Sequence, residues 1–220
     1  MPLFPMTGGR MLTLYSVPHS LYCAKTRILL RAKGLTWQEH TPADDPDGFA
    51  SASPFGNLPA ITRDDFALSD SEAIAEYIDE AFPAPPLLSA DITARARMRE
   101  RARFHDTRLE PAVRALFPLV TTPNPEAAAQ AVAAIAKRLE QLVVLLTQPL
   151  PFGLGDCGFA PTFLWIDLLT QDTGQTLVWP APVVAYRARL QEVPAVAAEM
   201  ADYSRHAGEW VAEKQALRRA

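Results

Sequence analysis

The sequence predicts an α/β domain followed by an all-helical domain. Hydrophobic segments up to residue 82 follow the order β-α-β and then β-β-α, and every later hydrophobic segment has helical spacing. A stiff, proline-rich stretch lies between the two regions. We therefore expect a flexible N-terminus at 1–10, an α/β domain at 11–82, a linker at 83–90 and a helical domain at 91–220.

The first three elements are predicted to form a parallel βαβ unit. Residues 11–15 have the composition of a short strand, and Pro18 keeps the following loop out of a helix. A helix is expected from Ser20 to just before Gly34, and a second strand at 36–40. One face of that helix is apolar: Leu21, Ala24, Ile28 and Ala32.

The next elements are predicted to be an antiparallel strand pair and a helix. Residues 41–56 are rich in Asp, Pro, Gly and Ser, so we expect a loop with at most a short helix there. The strands are expected at 58–62 and 66–68, and Pro59 belongs at an exposed strand start, where a cis peptide bond is permitted. The helix that follows is expected to bury one set of residues: Ile74, Ile78 and Ala81, with Ala73 and Tyr77 beside them.

The remainder of the chain is predicted to be helical. A long Arg- and Ala-rich helix is expected at 91–117 and should bend at Pro111, which removes a helical hydrogen bond. Its arginine run at 95–103 is interpreted as a solvated face or dimer contact rather than an anion site. Further helices are expected at these positions: 125–147, 161–173, 183–191 and 194 to about 203, then a polar helical tail.

Composition excludes several functional classes. The chain of 220 residues is 49% hydrophobic and carries a net charge of −4, so we expect no nucleic-acid partner and no membrane association. Its two cysteines, Cys23 and Cys157, exclude a disulfide scaffold and a zinc module, and no metal site is expected. Because the N-terminus does not resemble a secretory signal, a cytoplasmic location is expected.

The segment around Leu58 and Asp70 predicts a binding site for a peptide-like ligand. The backbone of Leu58, before Pro59, offers an N–H and a C=O to an extended ligand, and the N–H groups of the following helix can bind a carboxylate. Asp70 can hold an ammonium group beside them. Glutathione has both a peptide backbone and a free α-amino acid end. A purely structural alternative is a capping box formed by Ser69 and Glu72.

Three motifs, in order, resemble the cytosolic glutathione transferases: TLYSVPHSLYCAKTRI, GNLPAI and LSDSEAIAEYI. This resemblance implies a thioredoxin-like N-terminal domain, an all-helical C-terminal domain and a homodimer. It also implies that Leu58 and Pro59 contact the cysteinyl part of glutathione, and that Asp70 and Ser71 hold the γ-glutamyl end. Glutathione would be the cosubstrate, and its thiolate would attack a small electrophile.

Ser20 is the candidate catalytic residue. By the resemblance it occupies the position of the catalytic serine or cysteine, and a hydroxyl at a helix N-terminus can donate to a thiolate while the helix dipole stabilises the charge. Ser20 can also simply cap the helix. Ser16 and Tyr15 are competitors, although Tyr15 is expected in the core. His19, in the loop before Ser20, is placed among the glutathione-binding residues.

Two further hypotheses stay open beside a transferase. The first is a non-catalytic binding or regulatory protein of the same fold, because residues 158–161 lack the Ser/Thr-x-x-Asp cap usual in the family. The second is a thiol reductase using Cys23, which is disfavoured because Ser20 stands where a redox C-x-x-C motif has its first cysteine. We expect Cys23 to be packed inside and Cys157, in a loop before a helix, to be structural.

Overall fold

A computed structural model describes residues 11–219, so the predicted flexible segment 1–10 lies outside the described residues. The chain begins with a thioredoxin-like α/β region and continues as helices only, as predicted. The elements of the first region are β1 (Leu12–Tyr15), α1 (Leu21–Ala32), β2 (Trp37–His40), α2 (Pro46–Ala52), β3 (Ala60–Arg63), β4 (Phe66–Ser69) and α3 (Ser71–Ala81).

Within residues 11–219 the strands form one mixed sheet in the order β2-β1-β3-β4. β1 and β2 pair in parallel, with Leu12 opposite Trp37, which confirms the predicted βαβ unit. β3 runs antiparallel to β1 and to β4. The peptide bond between Leu58 and Pro59, just before β3, is cis.

The two faces of the sheet are covered by different helices because side chains alternate along each strand. Leu14 and Ile61 face the main core with Ile28 of α1 and Ile74 of α3. Their neighbours form a small cluster with α2 on the other side of the sheet, made up of Tyr15, Ala52 and Ala60.

The prediction of which α3 residues are buried is partly wrong. Ile74 and Ile78 are fully buried, but Ala73 and Ala81 are exposed and Ala75 is buried in their place. Ala75 lies one turn before Ile78 on the same face, whereas Ala81 is the last residue of the helix.

A buried lysine holds the stretch between α3 and the next helix. Lys33, at the end of α1, donates to the Asp79 carboxylate at 2.7 Å and to the carbonyl of Pro85 at 2.6 Å. The same carboxylate oxygen accepts from the backbone N–H of Leu87 at 2.8 Å. This segment is therefore tied to the α/β region by charge-assisted hydrogen bonds as well as by proline stiffness.

The second region consists of helices packed around one core. They are α4 (Ile92–Phe104), α5 (Glu110–Arg114), α6 (Pro125–Leu145), α7 (Phe159–Asp172), α8 (Ala181–Gln191) and α9 (Pro194–Arg219). The helix predicted at 91–117 is interrupted just before Pro111, where a π-helical turn, His105–Leu109, separates α4 from α5. A proline cannot donate to the preceding turn, and the wider turn accommodates the missing bond. The predicted tail is simply the second half of α9.

Candidate active site

The sheet topology brings the predicted site residues to one end of the molecule. Tyr15, the last residue of β1, pairs with Ala60, which directly follows Pro59. Ala60 also pairs with Ser69, which directly precedes Asp70. Three segments therefore meet at the same end of the sheet: the loop leading to Ser20, the cis bond at Leu58-Pro59 and the start of α3.

Asp70 begins α3 as its cap. One oxygen of its carboxylate accepts hydrogen bonds from the N–H of Glu72 at 2.9 Å and of Ala73 at 3.0 Å. The alternative capping box of Ser69 and Glu72 is therefore wrong, since the cap lies one residue later and Glu72 has another partner. Two of the N–H groups predicted to receive a ligand carboxylate are therefore already occupied by Asp70, which is an exposed residue.

A cavity of about 310 Å³ contains three of the predicted binding residues, Leu58, Asp70 and Ser71. Its volume is in the range of small-molecule sites. Its other walls were not predicted from sequence: Tyr22 of α1, Asn57, and Arg103, Asp106 and Thr107 from the α4 region. The cavity thus lies between the α/β region and the helices, and one wall is charged.

A buried ion-pair network supports that charged wall. The Lys25 ammonium lies 2.7 Å from the Glu72 carboxylate and 2.8 Å from that of Asp106, and its side chain is 3% exposed. His105 Nδ1 lies 2.6 Å from Asp106, while its Nε2 lies 2.7 Å from the hydroxyl of Thr162 on α7. The network therefore joins α1 and α3 to the π-helical turn and α7.

The two carboxylates that share Lys25 are shifted in opposite directions. Burial opposes ionisation of Asp106, but the hydrogen bond with His105 and the charge of Lys25 together lower its pKa to about 2. Burial raises the pKa of Glu72, although Lys25 acts against the shift. Asp106 is consequently the more strongly ionised of the two and faces the cavity.

Ser20 caps α1, as the structural alternative requires. Its hydroxyl oxygen accepts from the backbone N–H of Cys23 at 3.4 Å, and the side chain is half-buried. Among residues 11–219, those that line the cavity do not include Ser20 or His19. Ser20 opens the helix on which Tyr22 lines the cavity, so it lies beside this site rather than in its wall.

The competing hydroxyls are engaged elsewhere. Ser16 is buried, and its hydroxyl donates to Glu39 and accepts from Arg27 Nη1 at 3.1 Å. Tyr15 is in the core, as predicted, with its hydroxyl 2.7 Å from the Asp45 carboxylate. Burial and this carboxylate raise the pKa of Tyr15 to about 12, so it is a poor donor to a thiolate at neutral pH.

His19 lies against the C-terminal helix. Its ring centroid is 6.1 Å from that of Trp210, and its carbonyl accepts from the Tyr203 hydroxyl at 3.0 Å. Burial lowers the pKa of His19, so the neutral ring is favoured. The loop that carries His19 and Ser20 is therefore held by α9.

Cys23 is buried, as expected, and Cys157 is buried as well. Burial raises the pKa of the Cys23 thiol, and it also raises that of Cys157. A thiol is nucleophilic as the thiolate, so neither residue resembles a redox-active cysteine.

Comparison with known proteins agrees with this architecture. The N-terminal domain of glutathione S-transferases matches residues 14–86. Residues 14–86 therefore form a glutathione S-transferase N-terminal domain, and the fold of the described chain resembles that of solved glutathione transferases. A structure of glutathione transferase Omega 3C from Trametes versicolor superposes with a TM-score of 0.74 at 26% identity, covering 85% of this chain and 87% of that one. The Tau class transferase of mango gives 0.76 at 22% identity, covering 94% and 98%, and supports the fold.

Some relatives that are similar in sequence are named as glutathione S-transferases, and others are named as Stringent starvation protein A homologs. Glutathione S-transferase Z1 of Arabidopsis thaliana is 38% identical over 97 residues, which cover 41% of this chain and 43% of the relative. The Stringent starvation protein A homolog of Coxiella burnetii is 36% identical over 112 residues, covering 47% and 54%. The homolog from Haemophilus influenzae is 29% identical and covers 70% and 74%. The chain thus spans about half the length of the first of these homologs that it matches.

Two features are absent from residues 11–219. No helix there is long and apolar enough to cross a membrane. Nor does that part of the chain bring together three or more His, Cys, Asp or Glu side chains in a metal-binding arrangement.

Proposed function

We propose that this protein is a glutathione transferase that transfers the glutathione thiolate to small electrophiles. The observation that carries the proposal is the cavity in which Leu58, Asp70 and Ser71 meet between the two regions. A peptide backbone can pair beside the cis Leu58-Pro59 bond, and an α-amino acid end can reach Asp70 and Ser71. The match of residues 14–86 to the N-terminal domain of glutathione S-transferases supports glutathione as that ligand.

The γ-glutamyl ammonium is assigned to the carboxylates of Asp70 and Asp106. Both line the cavity, and the low pKa of Asp106 keeps it ionised at neutral pH. The γ-glutamyl carboxylate is assigned to Ser71 and to Arg103, which line the same cavity.

Ser20 is assigned the catalytic role, beside its role as helix cap. Its hydroxyl lies at the positive end of the α1 dipole, where a thiolate is stabilised by both the dipole and a donated hydrogen bond. His19 adjoins this position, and we retain it as a contact of the bound thiol. The electrophile, a homodimeric assembly and a cytoplasmic location belong to the same proposal.

A second candidate function is a glutathione-binding regulatory protein. The observation that favours it is the set of relatives named for stringent starvation rather than for a reaction. The start of α7 also lacks a side-chain cap, because the capping residue is Gly158, which has no side chain to accept a hydrogen bond. The two candidates share the binding cavity and differ at Ser20.

Turnover of a chloronitrobenzene electrophile with glutathione distinguishes them. The matched pair is Ser20→Gly, which removes the hydroxyl but costs a helix cap only a few tenths of a kcal/mol, and Ser20→Thr, which retains it. We expect kcat/KM to fall about a hundredfold in Ser20→Gly and to be largely retained in Ser20→Thr. Binding of wild type to immobilised glutathione without turnover of any electrophile in a broad panel would favour the regulatory candidate.

A further inference from the structure

His105 is a buried histidine beside the candidate glutathione cavity. It is 1% exposed, and it lies in the π-helical turn next to Asp106, which lines that cavity. Among residues 11–219, those that line the cavity do not include His105 itself. Any effect of His105 on a bound ligand therefore passes through a neighbouring residue.

Two donors hold the carboxylate of Asp106. The Lys25 ammonium lies 3.1 Å from Oδ1 and 2.8 Å from Oδ2, so it contacts both oxygens. His105 Nδ1 lies 2.6 Å from Oδ1. The low pKa of Asp106 keeps it ionised, and an ionised carboxylate only accepts, so Nδ1 is the donor in this contact. Because Lys25 contacts both oxygens, the bond from His105 is the one that fixes the rotation of the carboxylate.

The His105 ring is held from several directions. Its Nε2 lies 2.7 Å from the Thr162 hydroxyl, whose oxygen also lies 2.9 Å from the carbonyl of Gly158. The ring packs edge-on against Phe159, with centroids 5.1 Å apart, and against Tyr22 at 6.4 Å. Phe159 and Thr162 belong to the first turn of α7. The ring is therefore anchored on the helical region while it donates to the cavity wall.

Gly158 leaves the space that this ring occupies. A Cβ atom at position 158 would lie 2.4 Å from His105 Cε1 and 2.7 Å from Nε2, which is much closer than two such atoms pack. The Ser or Thr cap usual in the family would therefore collide with the His105 ring. The absence of that cap has a physical explanation, since a side chain at 158 and this placement of His105 exclude each other.

We propose that His105 is a positioning residue for the ammonium group of glutathione and acts through Asp106. This inference rests on the proposed function, in which Asp70 and Asp106 receive the γ-glutamyl ammonium. The His105 N–H fixes the orientation in which the Asp106 carboxylate lines the cavity, and Thr162 keeps the ring in place. The residue thereby contributes to specificity for a ligand with a free α-amino group, and not to the reaction of the thiolate.

Two amide substitutions separate the two ends of the ring. An Asn side chain places its amide N–H where Nδ1 lies, so His105→Asn keeps a donor for Asp106, whereas the longer Gln places its amide where Nε2 lies and keeps only the contact with Thr162. We expect calorimetry to give a glutathione affinity near the wild-type value in His105→Asn and about tenfold weaker in His105→Gln. His206→Gln, on α9 and outside the residues that line the cavity, is the matched control and should bind as wild type does.

A second ligand, glutaryl-Cys-Gly, separates this positioning role from a general structural one. It is glutathione without the amino group, so it lacks the ammonium that Asp106 receives, and His105→Gln should weaken its binding by no more than about twofold. Thermal unfolding establishes that each variant is folded at the temperature of the titration. If His105→Gln does not fold, Thr162→Val carries the same test, because it removes the hydroxyl beside Nε2 and keeps the side-chain shape. It should weaken glutathione binding and leave glutaryl-Cys-Gly binding unchanged.

Three results would overturn the positioning role while leaving the proposed function intact. The first is an unchanged glutathione affinity in His105→Gln, and the second is an affinity in His105→Asn as weak as that in His105→Gln. The third is an equal loss of affinity for glutathione and glutaryl-Cys-Gly, which would show that His105 only maintains the shape of the cavity. Wild type that binds neither ligand would instead refute the proposed function, and this inference with it.

Discussion

Single residues at the sheet edge combine structural and chemical roles. Asp70 is both the cap of α3 and a wall of the candidate glutathione cavity, and Ser20 caps α1 next to it. Sequence reasoning identified both because a hydroxyl or carboxylate before an apolar helical pattern is a local signal. The alternative capping box of Ser69 and Glu72 is wrong because the Glu72 carboxylate pairs with Lys25, which lies 47 positions away in the chain.

Asp70→Asn should separate capping from ligand binding. Asn caps a helix about as well as Asp but lacks the negative charge that attracts an ammonium group. We therefore expect the free energy of unfolding to change little, while the affinity for glutathione falls about tenfold by calorimetry. An unchanged affinity would remove Asp70 from the proposed site.

The two thiols should not react with Ellman's reagent in the native protein. Burial raises the pKa of both Cys23 and Cys157 and shields the sulfur atoms. We expect both to titrate only after unfolding in guanidinium chloride. Rapid modification of one thiol in the folded protein would reopen the reductase hypothesis for Cys23.

At the scale of elements, α9 positions the loop between β1 and α1. Tyr203 donates to the carbonyl of His19 and accepts from Trp165 Nε1 at 2.6 Å. Glu199 on the same helix lies 2.6 Å from Arg27 Nε of α1. Sequence reasoning predicted a helix at 194 to about 203 but not these contacts, because they join residues far apart in the chain.

Tyr203→Phe is expected to destabilise the protein by about 1–3 kcal/mol, because it leaves the buried Trp165 N–H without an acceptor. The free energy of unfolding in urea measures this change. Tyr77→Phe, which keeps its ring stacked on Phe66, is the matched control and should be near neutral. Equal stability of the two variants would contradict the positioning role of α9.

At the scale of the whole molecule, a buried charge cluster joins the two regions. Lys25 comes from α1, Glu72 from α3, and Asp106 and His105 from the π-helical turn. Lys25→Met would leave two buried carboxylates without their cation, and we expect a loss of about 3–5 kcal/mol. The exposed Lys137 provides the control, since Lys137→Met should have little effect on urea unfolding.

The same cluster predicts an acid dependence. The folded pKa of Asp106 lies below its unfolded value, so its ionised form contributes stability above an unfolded pKa of about 3.9. That contribution is lost as the pH falls towards about 2. The stability difference between wild type and Asp106→Asn, measured by urea unfolding, should therefore shrink as the pH is lowered from about 5 to about 3. A stability difference that stays constant over this pH range would show that ionisation of Asp106 does not cause the acid dependence.

The sequence by itself determined the order of elements, the proline before β3 that permits a cis bond, and the interruption of the helix near Pro111. It also identified Ser20 and Asp70 at the starts of α1 and α3. These features arise from local periodicity and backbone chemistry, which a short stretch of chain contains in full. Only the tertiary structure decided that Arg103, Asp106 and Tyr22 line the candidate glutathione cavity, and that Arg101 is buried against Asp156. A charged residue on a helix has the same local pattern whether it meets solvent or another element, so its partner is known only once distant parts of the chain are packed together.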